Sequence, residues 1–344
     1  MADLTTKYMG LTLKSPVIAG SCGLTNTINE IKKMEENGAG AVVIKSIFEE
    51  QIRQEADNFI NKGSEGMSPM MDGYLDIIKN RQYDYEEAME YLKNFAKEHT
   101  LNNYLKFISD VKKEVKIPII ASVNCVFSYD WHFFARKIQD AGADALELNV
   151  YILPSDPDKT GQANDDIYLK IIESVKKTVS IPIALKVGYY FSGLANKVTE
   201  LSKSGISGMV LFNRPYNPDI DIENLKISDG SVVSSPSEFF HTLRWVALLS
   251  GKMGCDISAS TGNHNSEAVI KQLLAGATSV QVVSALYTHG ISFISELNEG
   301  LSNWMDKHGF KTIEDFRGKM SFANLKHPAA YERVQFMKLY SQIK

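Results

Sequence analysis

Short apolar runs, rich in β-branched residues, recur eight times along the chain and limit its possible folds more than any other feature. Each run is bounded by Gly, Pro or polar residues, and most are continuously apolar rather than alternating. Such runs are typical of parallel strands that are covered on both faces of a sheet. The runs are Ser15–Ser21, Ala41–Ser46, Ile117–Val123, Ala145–Val150, Ile181–Val187, Gly208–Asn213, Cys255–Thr261 and Ser279–Ala285. We therefore expect eight parallel strands.

Amphipathic segments separate most of these runs and predict helices. Examples are Asn29–Asn37, Trp131–Ala141, Ile167–Thr178, Leu194–Ser204 and Ser266–Ala275. Between a helix and the next strand stand Gly38, Gly142, Gly205 and Gly276. A glycine there adopts the left-handed cap conformation at low cost and turns the chain back. Alternating strands and helices predict a parallel α/β domain, and eight strands with right-handed crossovers favour a closed (β/α)8 TIM barrel over an open sheet.

Two insertions account for the length of the chain. Its 344 residues exceed the roughly 250 of a plain barrel. The surplus falls between Phe48 and about Tyr104, after strand two, and between Arg214 and about Pro236, after strand six. Both insertions follow the C-terminal end of a strand, which is the face that builds active sites in barrels. We expect a single domain, 1–344, whose insertions cover the site, the first being largely helical with a Met-Gly-Pro-rich turn near 63–73.

The charge and the N-terminus argue against several partners. The formal net charge is −4, and the basic residues are scattered, so neither nucleic acid nor an anionic membrane is expected to bind. The first ten residues are polar and lead directly into the first strand, with no signal peptide and no 18-residue apolar span. The sequence predicts a soluble, unprocessed protein.

Cysteines and histidines do not predict a metal centre. The chain has three cysteines, Cys22, Cys125 and Cys255, which are too few and too far apart for a disulfide framework or a four-thiolate iron–sulfur site. This low cysteine content favours the reducing cytoplasm. The histidines, which include His132, His241, His264 and His289, show no spacing typical of metal ligands. No metal is expected.

Polar residues at the C-terminal tips of apolar strands are the candidate site residues, because in a barrel they project into the active site. Lysines end two of these strands, at Lys45 and Lys186. Such a lysine can neutralise an anionic flavin ring, bind a carboxylate or form a Schiff base, or it can simply extend to solvent. The tip residues are Ser21, Lys45, Ser46, Asn124, Asn149, Lys186, Asn213, Ser260, Thr261 and Ser284.

The last two strands end in small residues that suit a phosphate. They read Ser258-Ala259-Ser260-Thr261-Gly262-Asn263 and Val282-Val283-Ser284-Ala285. Barrels often bind phosphate with the loops after strands seven and eight and a helix N-terminus, although the same residues are also ordinary in turns and helix caps. The pattern favours a phosphorylated cofactor.

An ordered set of motifs resembles the dihydroorotate dehydrogenase family, especially its class 1 branch and the dihydroorotate dehydrogenase-like proteins. The resemblance extends from Tyr8 to about Gly290. The motifs are Tyr8-Met9-Gly10-Leu11 with Ala19-Gly20-Ser21, Ile44-Lys45-Ser46, Glu147-Leu148-Asn149, Ala184-Leu185-Lys186 and Leu274-Ala275-Gly276-Ala277-Thr278-Ser279-Val280-Gln281.

This resemblance implies an FMN-dependent oxidoreductase that acts on CH–CH bonds, as in the oxidation of dihydroorotate to orotate in pyrimidine biosynthesis. It also implies a homodimer. Among the site residues, Lys45, Lys186 and Asn149 would be catalytic, and either lysine would stabilise the reduced, anionic flavin. The residues around the flavin and ribityl chain would be Gly20, Ser21, Lys45, Ser46, Asn124, Asn149, Lys186 and Asn213, and those at the phosphate would be Ser260, Thr261, Val283 and Ser284.

The sequence departs from the family at the catalytic base. Class 1 members have a Ser-Cys-Pro-Asn segment after the strand-four Asn, and the Cys takes a proton from dihydroorotate. Here Ile152 occupies the Cys position and cannot accept a proton. The family's Asn-x-x-Gly-Leu-Pro-Asn substrate loop also has no counterpart, and Ser260-Thr261 replaces two glycines. Candidates for a replacement base are Tyr151, Ser155, Asp156 and Cys125.

Three functions remain open. The first is an FMN oxidoreductase that acts on dihydroorotate or on another small carbonyl-conjugated molecule. The second is an aldolase or lyase with Lys186 as the Schiff-base nucleophile. The third is a flavin-binding protein without turnover, which the missing Cys supports. The electron acceptor is unknown, and an iron–sulfur relay would have to lie in another protein.

Overall fold

The computed structural model describes residues 2–48, 85–124 and 131–333. A hairpin of β1 (Thr6–Tyr8) and β2 (Leu11–Leu13) comes first. Eight parallel strands follow, each paired with the next, and the last pairs with the first, so the sheet is a closed barrel. These barrel strands are β3 (Val17–Ala19), β4 (Ala41–Val43), β6 (Ile119–Asn124), β7 (Ala145–Val150), β8 (Ile183–Val187), β9 (Gly208–Leu211), β12 (Asp256–Ala259) and β13 (Ser279–Val282).

Helices alternate with the barrel strands, which confirms the predicted (β/α)8 fold. They are α1 (Ile28–Glu36), α2 (Tyr85–Glu114), α3 (Trp131–Asp140), α4 (Gly161–Lys176), α5 (Leu194–Ser202), α6 (Phe239–Leu249) and α7 (Ser266–Ala275), followed by α8 (Ser284–His289), α9 (Phe293–His308) and α10 (Ala329–Glu332). Helix α4 begins earlier than the predicted Ile167, because the Thr160 side chain accepts a hydrogen bond from Ala163 N and caps the helix there.

The four predicted glycine turns all have positive φ. The angle is +85° at Gly38, +96° at Gly142, +95° at Gly205 and +112° at Gly276. Only glycine enters this left-handed region without a Cβ penalty. The repeated glycine therefore returns the chain from helix to strand at four places in the barrel.

The barrel interior changes from apolar to polar along its axis. Alternate strand residues such as Ile18, Val43 and Ile120 fill the interior, while their neighbours pack against the helices. Tyr8 and Met9 contact the start of two barrel strands: Met9 N donates to Asp256 Oδ2 at 2.7 Å, and Gly208 lies against the Tyr8 hydroxyl. The hairpin β1–β2 thus closes the N-terminal end, and polar interior side chains occupy the C-terminal end.

Both insertions follow the C-terminal ends of strands. After β4, the described residues form β5 (Ile47–Phe48), which pairs with β6, and helix α2; the predicted turn at 63–73 lies outside the described residues. After β9, β10 (Pro218–Asp221) and β11 (Lys226–Asp229) form an antiparallel hairpin that the sequence analysis did not predict. Among the residues that the structure describes, no helix has the length and apolar composition to cross a membrane.

Candidate active site

A cavity of about 480 Å³ opens at the C-terminal end of the barrel, between the strand tips and the insertion after β9. Its volume lies within the roughly 300–1,000 Å³ that is usual for cofactor and small-molecule sites. The insertion contributes Arg214, Tyr216, Asp229 and Ser234 to the wall. The cavity also brings together seven of the predicted site residues, which are Ser21, Lys186, Asn213, Ser260, Thr261, Val283 and Ser284.

Three further predicted residues lie directly behind this wall. Ser46 N donates a hydrogen bond to Ser21 Oγ at 2.9 Å, and Asn213 Nδ2 donates to Asn149 Oδ1 at 2.9 Å. A Cβ at Gly20 would lie 2.7 Å from Cγ2 of Val283. Gly20 therefore permits the close approach of the first and eighth barrel strands, whereas Ser46 and Asn149 orient side chains that face the cavity.

The remaining two predicted residues lie elsewhere. Lys45 lines a separate cavity of about 240 Å³, together with Ser46, Tyr104 and Phe107. Asn124 is the half-buried last residue of β6. The two lysines singled out from the sequence thus line different cavities, and only Lys186 faces the larger one.

Lys186 is held in a buried polar network. Its Nζ donates to Gln281 Oε1 at 3.1 Å and lies 3.6 Å from Glu147 Oε1. Gln281 Nε2 in turn donates to Glu147 Oε2 at 2.6 Å. Lys186 is 6% exposed, Glu147 1% and Gln281 2%. Lys186 therefore does not extend to solvent; its charge is kept inside the barrel by an ion pair and a hydrogen bond.

Sequence reasoning missed Glu147 and Gln281, although a signal was present. In β7, Ala145, Glu147 and Asn149 face the interior, while Leu146 and Leu148 pack outward. Polar residues at every second position of an apolar strand mark its interior face. Asn149 lies at the strand tip and was predicted, whereas the carboxylate of Glu147 lies one interior layer below the tip.

The loop after β12 has a fixed and unusual backbone. Thr261 and Gly262 both have φ of +78°. The Thr261 hydroxyl donates to Phe212 O at 3.0 Å, and Ser260 N donates to Leu211 O at 2.6 Å. A Cβ at Gly262 would overlap the backbone of Phe239, the first residue of α6. The loop therefore requires glycine at 262 and presents its small residues to the cavity.

The insertion after β9 is fastened over the cavity rim. Arg214 Nη1 donates to the carbonyls of Ser231 and Val232 at 2.8 and 3.1 Å, and its Nε donates to Glu238 at 2.8 Å. Burial alone would raise the pKa of Glu238, but hydrogen bonds from Arg214 and Ser235 hold that pKa below its ordinary value. Arg214 and Glu238 are thus charged and fix the entrance of the cavity.

Ser234 joins this insertion to the loops after β12 and β13. Ser234 N donates to Ser284 Oγ at 2.9 Å, and its hydroxyl lies 3.0 Å from His264 Nε2. Burial lowers the pKa of His264, which favours the neutral imidazole. Thirty residues separate Ser234 and His264, and no local spacing links them. The sequence therefore gave no sign of this pair.

The loop after β7 offers no evident replacement for the catalytic base. Ile152 is partly buried and packs on the hydrophobic core. Burial, followed by the neighbouring Tyr190, raises the pKa of Tyr151, so its phenol stays protonated and is a poor base. Ser155 and Asp156 are exposed, and Cys125 lies outside the described residues. This loop, 151–160, supplies no buried carboxylate, imidazole or thiol.

Comparison with known proteins identifies the family. The family model described as Dihydroorotate dehydrogenase matches residues 3–305. The chain belongs to the dihydroorotate dehydrogenase family. This confirms the resemblance seen in the sequence motifs and assigns the chain to a family of oxidoreductases. The match spans all eight barrel strands and the loops that line the cavity.

Curated relatives match over nearly the full length. The dihydroorotate dehydrogenase B (NAD(+)) catalytic subunit of Thermoplasma volcanium is 27% identical over 331 residues, which covers 92% of this chain and 98% of the relative. The protein of the same name from Thermoplasma acidophilum is 27% identical over 329 residues, covering 92% and 99%. That from Pyrococcus abyssi is 24% identical over 324 residues, covering 92% and 98%.

Proposed function

We propose that this dihydroorotate dehydrogenase family member is an FMN-dependent oxidoreductase acting on a CH–CH bond beside a carbonyl group. Its substrate is dihydroorotate or a related small carbonyl-conjugated molecule. The observation that carries the proposal is the buried ammonium of Lys186 at the wall of the cavity, fixed by Gln281 and Glu147. A preorganised ammonium in a site of low dielectric stabilises negative charge that develops on a bound ring.

The residues present fit FMN. Lys186 offers a cation at one part of the wall, and Ser260, Thr261 and Ser284 offer small polar side chains at another. Ser284 Oγ accepts one hydrogen bond from Ser234 N and still has a hydrogen to donate. Asn263 Oδ1 is buried at the wall without a hydrogen-bond partner among the described residues. The wall thus combines a cation, hydroxyl donors and an unsatisfied acceptor, as a charged polar ligand requires.

Each of the predicted site residues has a distinct part in this proposal. Bound FMN would supply the two-electron chemistry. Lys186 would stabilise negative charge, and Asn213, oriented by Asn149, would bind a polar edge of the ligand. The phosphate would be held by Ser260, Thr261, Val283 and Ser284, and the insertion after β9 would exclude water from the cavity. Gly20 would allow the close approach of the first and eighth barrel strands. Lys45, Ser46 and Asn124 would support the side of the FMN site nearer β4 and β6.

The geometry of Lys186 argues against the aldolase hypothesis. Schiff-base formation needs the neutral amine, because the lone pair attacks the carbonyl carbon. Nζ of Lys186 instead donates a hydrogen bond to Gln281 and lies 3.6 Å from a carboxylate oxygen of Glu147, so the nitrogen is already engaged by two partners. Lys186 is therefore better suited to charge stabilisation than to nucleophilic attack.

A second candidate function is flavin binding without turnover. It is favoured by Ile152 at the position of the family's base and by the lack of a buried base in the loop 151–160. The two candidates share the cofactor and differ only in whether a substrate reduces it.

We further infer a homodimer from the family resemblance, and a cytoplasmic location from the three scattered cysteines. The names of the Thermoplasma relatives specify NAD(+) and a catalytic subunit, which supports a partner protein as the carrier of electrons to the final acceptor.

The absorbance spectrum of the purified protein tests the proposal directly. We expect the visible absorbance bands of an oxidised flavin and a released chromophore with the mass of FMN. Anaerobic addition of dihydroorotate should bleach the bands if that molecule is the substrate; unbleached bands favour a different substrate or binding without turnover. A colourless protein that takes up no added FMN contradicts the proposal.

Ser284→Asp is expected to expel FMN, because it places a carboxylate beside the proposed phosphate site. The FMN content per protein should fall by at least about tenfold, since like charges a few Å apart repel by more than about 1.4 kcal/mol in a partly buried site. Ser292→Asp adds the same charge at the exposed residue before α9 and should retain FMN. Equal FMN content in both variants would contradict the phosphate assignment.

A further inference from the structure

A carboxylate stands directly behind the lysine that faces the cavity. Glu147 is 1% exposed and lies in the interior of the barrel. One carboxylate oxygen accepts the hydrogen bond from Gln281, and the other, Oε1, has the Lys186 ammonium at 3.6 Å and no hydrogen-bond partner among the described residues. Binding an anionic ligand calls only for the lysine, so the carboxylate needs its own explanation.

Gln281 links the two charges in one orientation only. Its amide oxygen accepts from Lys186 Nζ at 3.1 Å, and its amide nitrogen donates to Glu147 Oε2 at 2.6 Å. Rotating the amide by 180° would put a donor against the ammonium and an acceptor against the carboxylate. Glu147 therefore fixes the amide of Gln281, and the amide in turn fixes the ammonium of Lys186.

Glu147 also offsets the charge of Lys186. The buried phenol of Tyr8 adds no charge, because burial and then Glu147 raise its pKa well above the ordinary value. The network thus holds one positive and one negative charge in the barrel interior. A negative charge in the cavity is attracted by Lys186 and repelled by Glu147, and the attraction is weaker than Lys186 alone would give.

We propose that Glu147 is a positioning residue that, through Gln281, holds Lys186 at the cavity wall and lowers the reduction potential of the bound FMN by offsetting the lysine charge. This inference rests on the proposed function, since it concerns the FMN placed in the cavity. Reduction adds negative charge to the flavin. Lys186 stabilises the reduced form of the bound FMN, and the negative charge of Glu147 weakens this stabilisation.

The test compares midpoint potentials of FMN-loaded protein. Glu147→Gln keeps an acceptor for Gln281 and removes the negative charge. We expect the midpoint potential to rise, with the reduced form bound on the order of tenfold more tightly relative to the oxidised form, which is about 30 mV for a two-electron couple. A role confined to folding would lower stability and FMN content but would not make the bound flavin easier to reduce.

Two matched variants complete the test. In the presence of Lys186→Met, adding Glu147→Gln should still raise the potential, because the carboxylate repels negative charge on the flavin whether or not the lysine is present. Ser279→Ala is a control on β13, the strand that carries Gln281. It removes the buried hydrogen bond that Ser279 Oγ donates to Ser258 Oγ and should leave the potential unchanged. If Glu147→Gln does not fold, Glu147→Asp withdraws the carboxylate and should raise the potential by a smaller amount.

The outcomes separate the two proposals. A potential that Glu147→Gln raises both in the otherwise wild-type protein and in the Lys186→Met background supports the role of Glu147. An unchanged or lowered potential in a variant that still binds FMN overturns that role and leaves the proposed function standing. A wild-type protein that binds no FMN overturns both.

Discussion

Lys186→Met is expected to lower the free energy of unfolding by about 3–5 kcal/mol, the usual cost of removing one partner from a buried ion pair. The methionine has a similar length but leaves the carboxylate of Glu147 inside the barrel without a cation. The side chains of Lys186 and Glu147 are only 7% and 1% exposed, so the carboxylate is largely shielded from water. Urea unfolding of the FMN-free protein at neutral pH measures the loss, and the same variant should also bind FMN more weakly.

Two controls identify the cause. Lys186→Met with Glu147→Gln removes both charges and should recover a large part of the lost stability, because the buried unpaired charge is gone. Lys177→Met breaks the Lys177–Glu173 pair, whose side chains are 72% and 68% exposed, and should leave the free energy of unfolding nearly unchanged. If Lys186→Met lowers the free energy of unfolding as little as Lys177→Met does, the Lys186–Glu147 pair does not behave as a buried ion pair.

Gly262→Ala is expected to destabilise the protein by about 3 kcal/mol or more, combining left-handed strain with steric overlap. The φ of +78° is unfavourable for alanine, and the added Cβ would lie 2.6 Å from Cα of Phe239. Because the added Cβ is attached rigidly to Cα and the atoms that it overlaps belong to the backbone of Phe239, relief requires the loop after β12 to move away from α6. The proposed phosphate residues Ser260 and Thr261 would move with it, so FMN content should fall together with stability.

Gly309→Ala is the matched control. Its φ is +74°, and nothing lies within 4 Å of the added Cβ. It therefore carries the conformational strain alone, about 1 kcal/mol, and should leave FMN binding unchanged. Thermal unfolding and FMN content of the two variants, measured together, separate strain from overlap. Equal losses in both would show that packing against Phe239 does not shape the site.

The barrel could be predicted from the sequence because its strands are buried on both faces. Their apolar runs stand out from the polar segments around them, and the glycines at 38, 142, 205 and 276 mark the returns. The hairpin β10–β11 is exposed, contains Pro218 and carries alternating charges, so no burial pattern was available. The exposed Ile220 and Ile227, which pair directly across it, were the remaining signal.

The candidate site was only partly predictable, for a different reason. Strand tips meet at one end of a barrel by construction, so residues such as Asn213 and Ser284 could be placed without knowing any contact. The network of Lys186 depends instead on residues brought together across the barrel, with Glu147 and Gln281 separated by 134 positions. A local pattern reveals that each faces the interior, but only the closed structure shows that they meet.

The seal at the N-terminal end of the barrel bears on how the chain reaches its native state. Met9 is joined to Asp256 across 247 positions, and β3 completes its hydrogen bonds only with β13. During synthesis at a ribosome, the first strand must therefore wait for nearly the whole polypeptide before its second neighbour exists. Contacts of such long sequence separation slow folding and leave strand edges exposed in the meantime. We expect closure of the ring to be the late, rate-limiting event, and newly made chains to depend on protection from aggregation until the eighth barrel strand emerges.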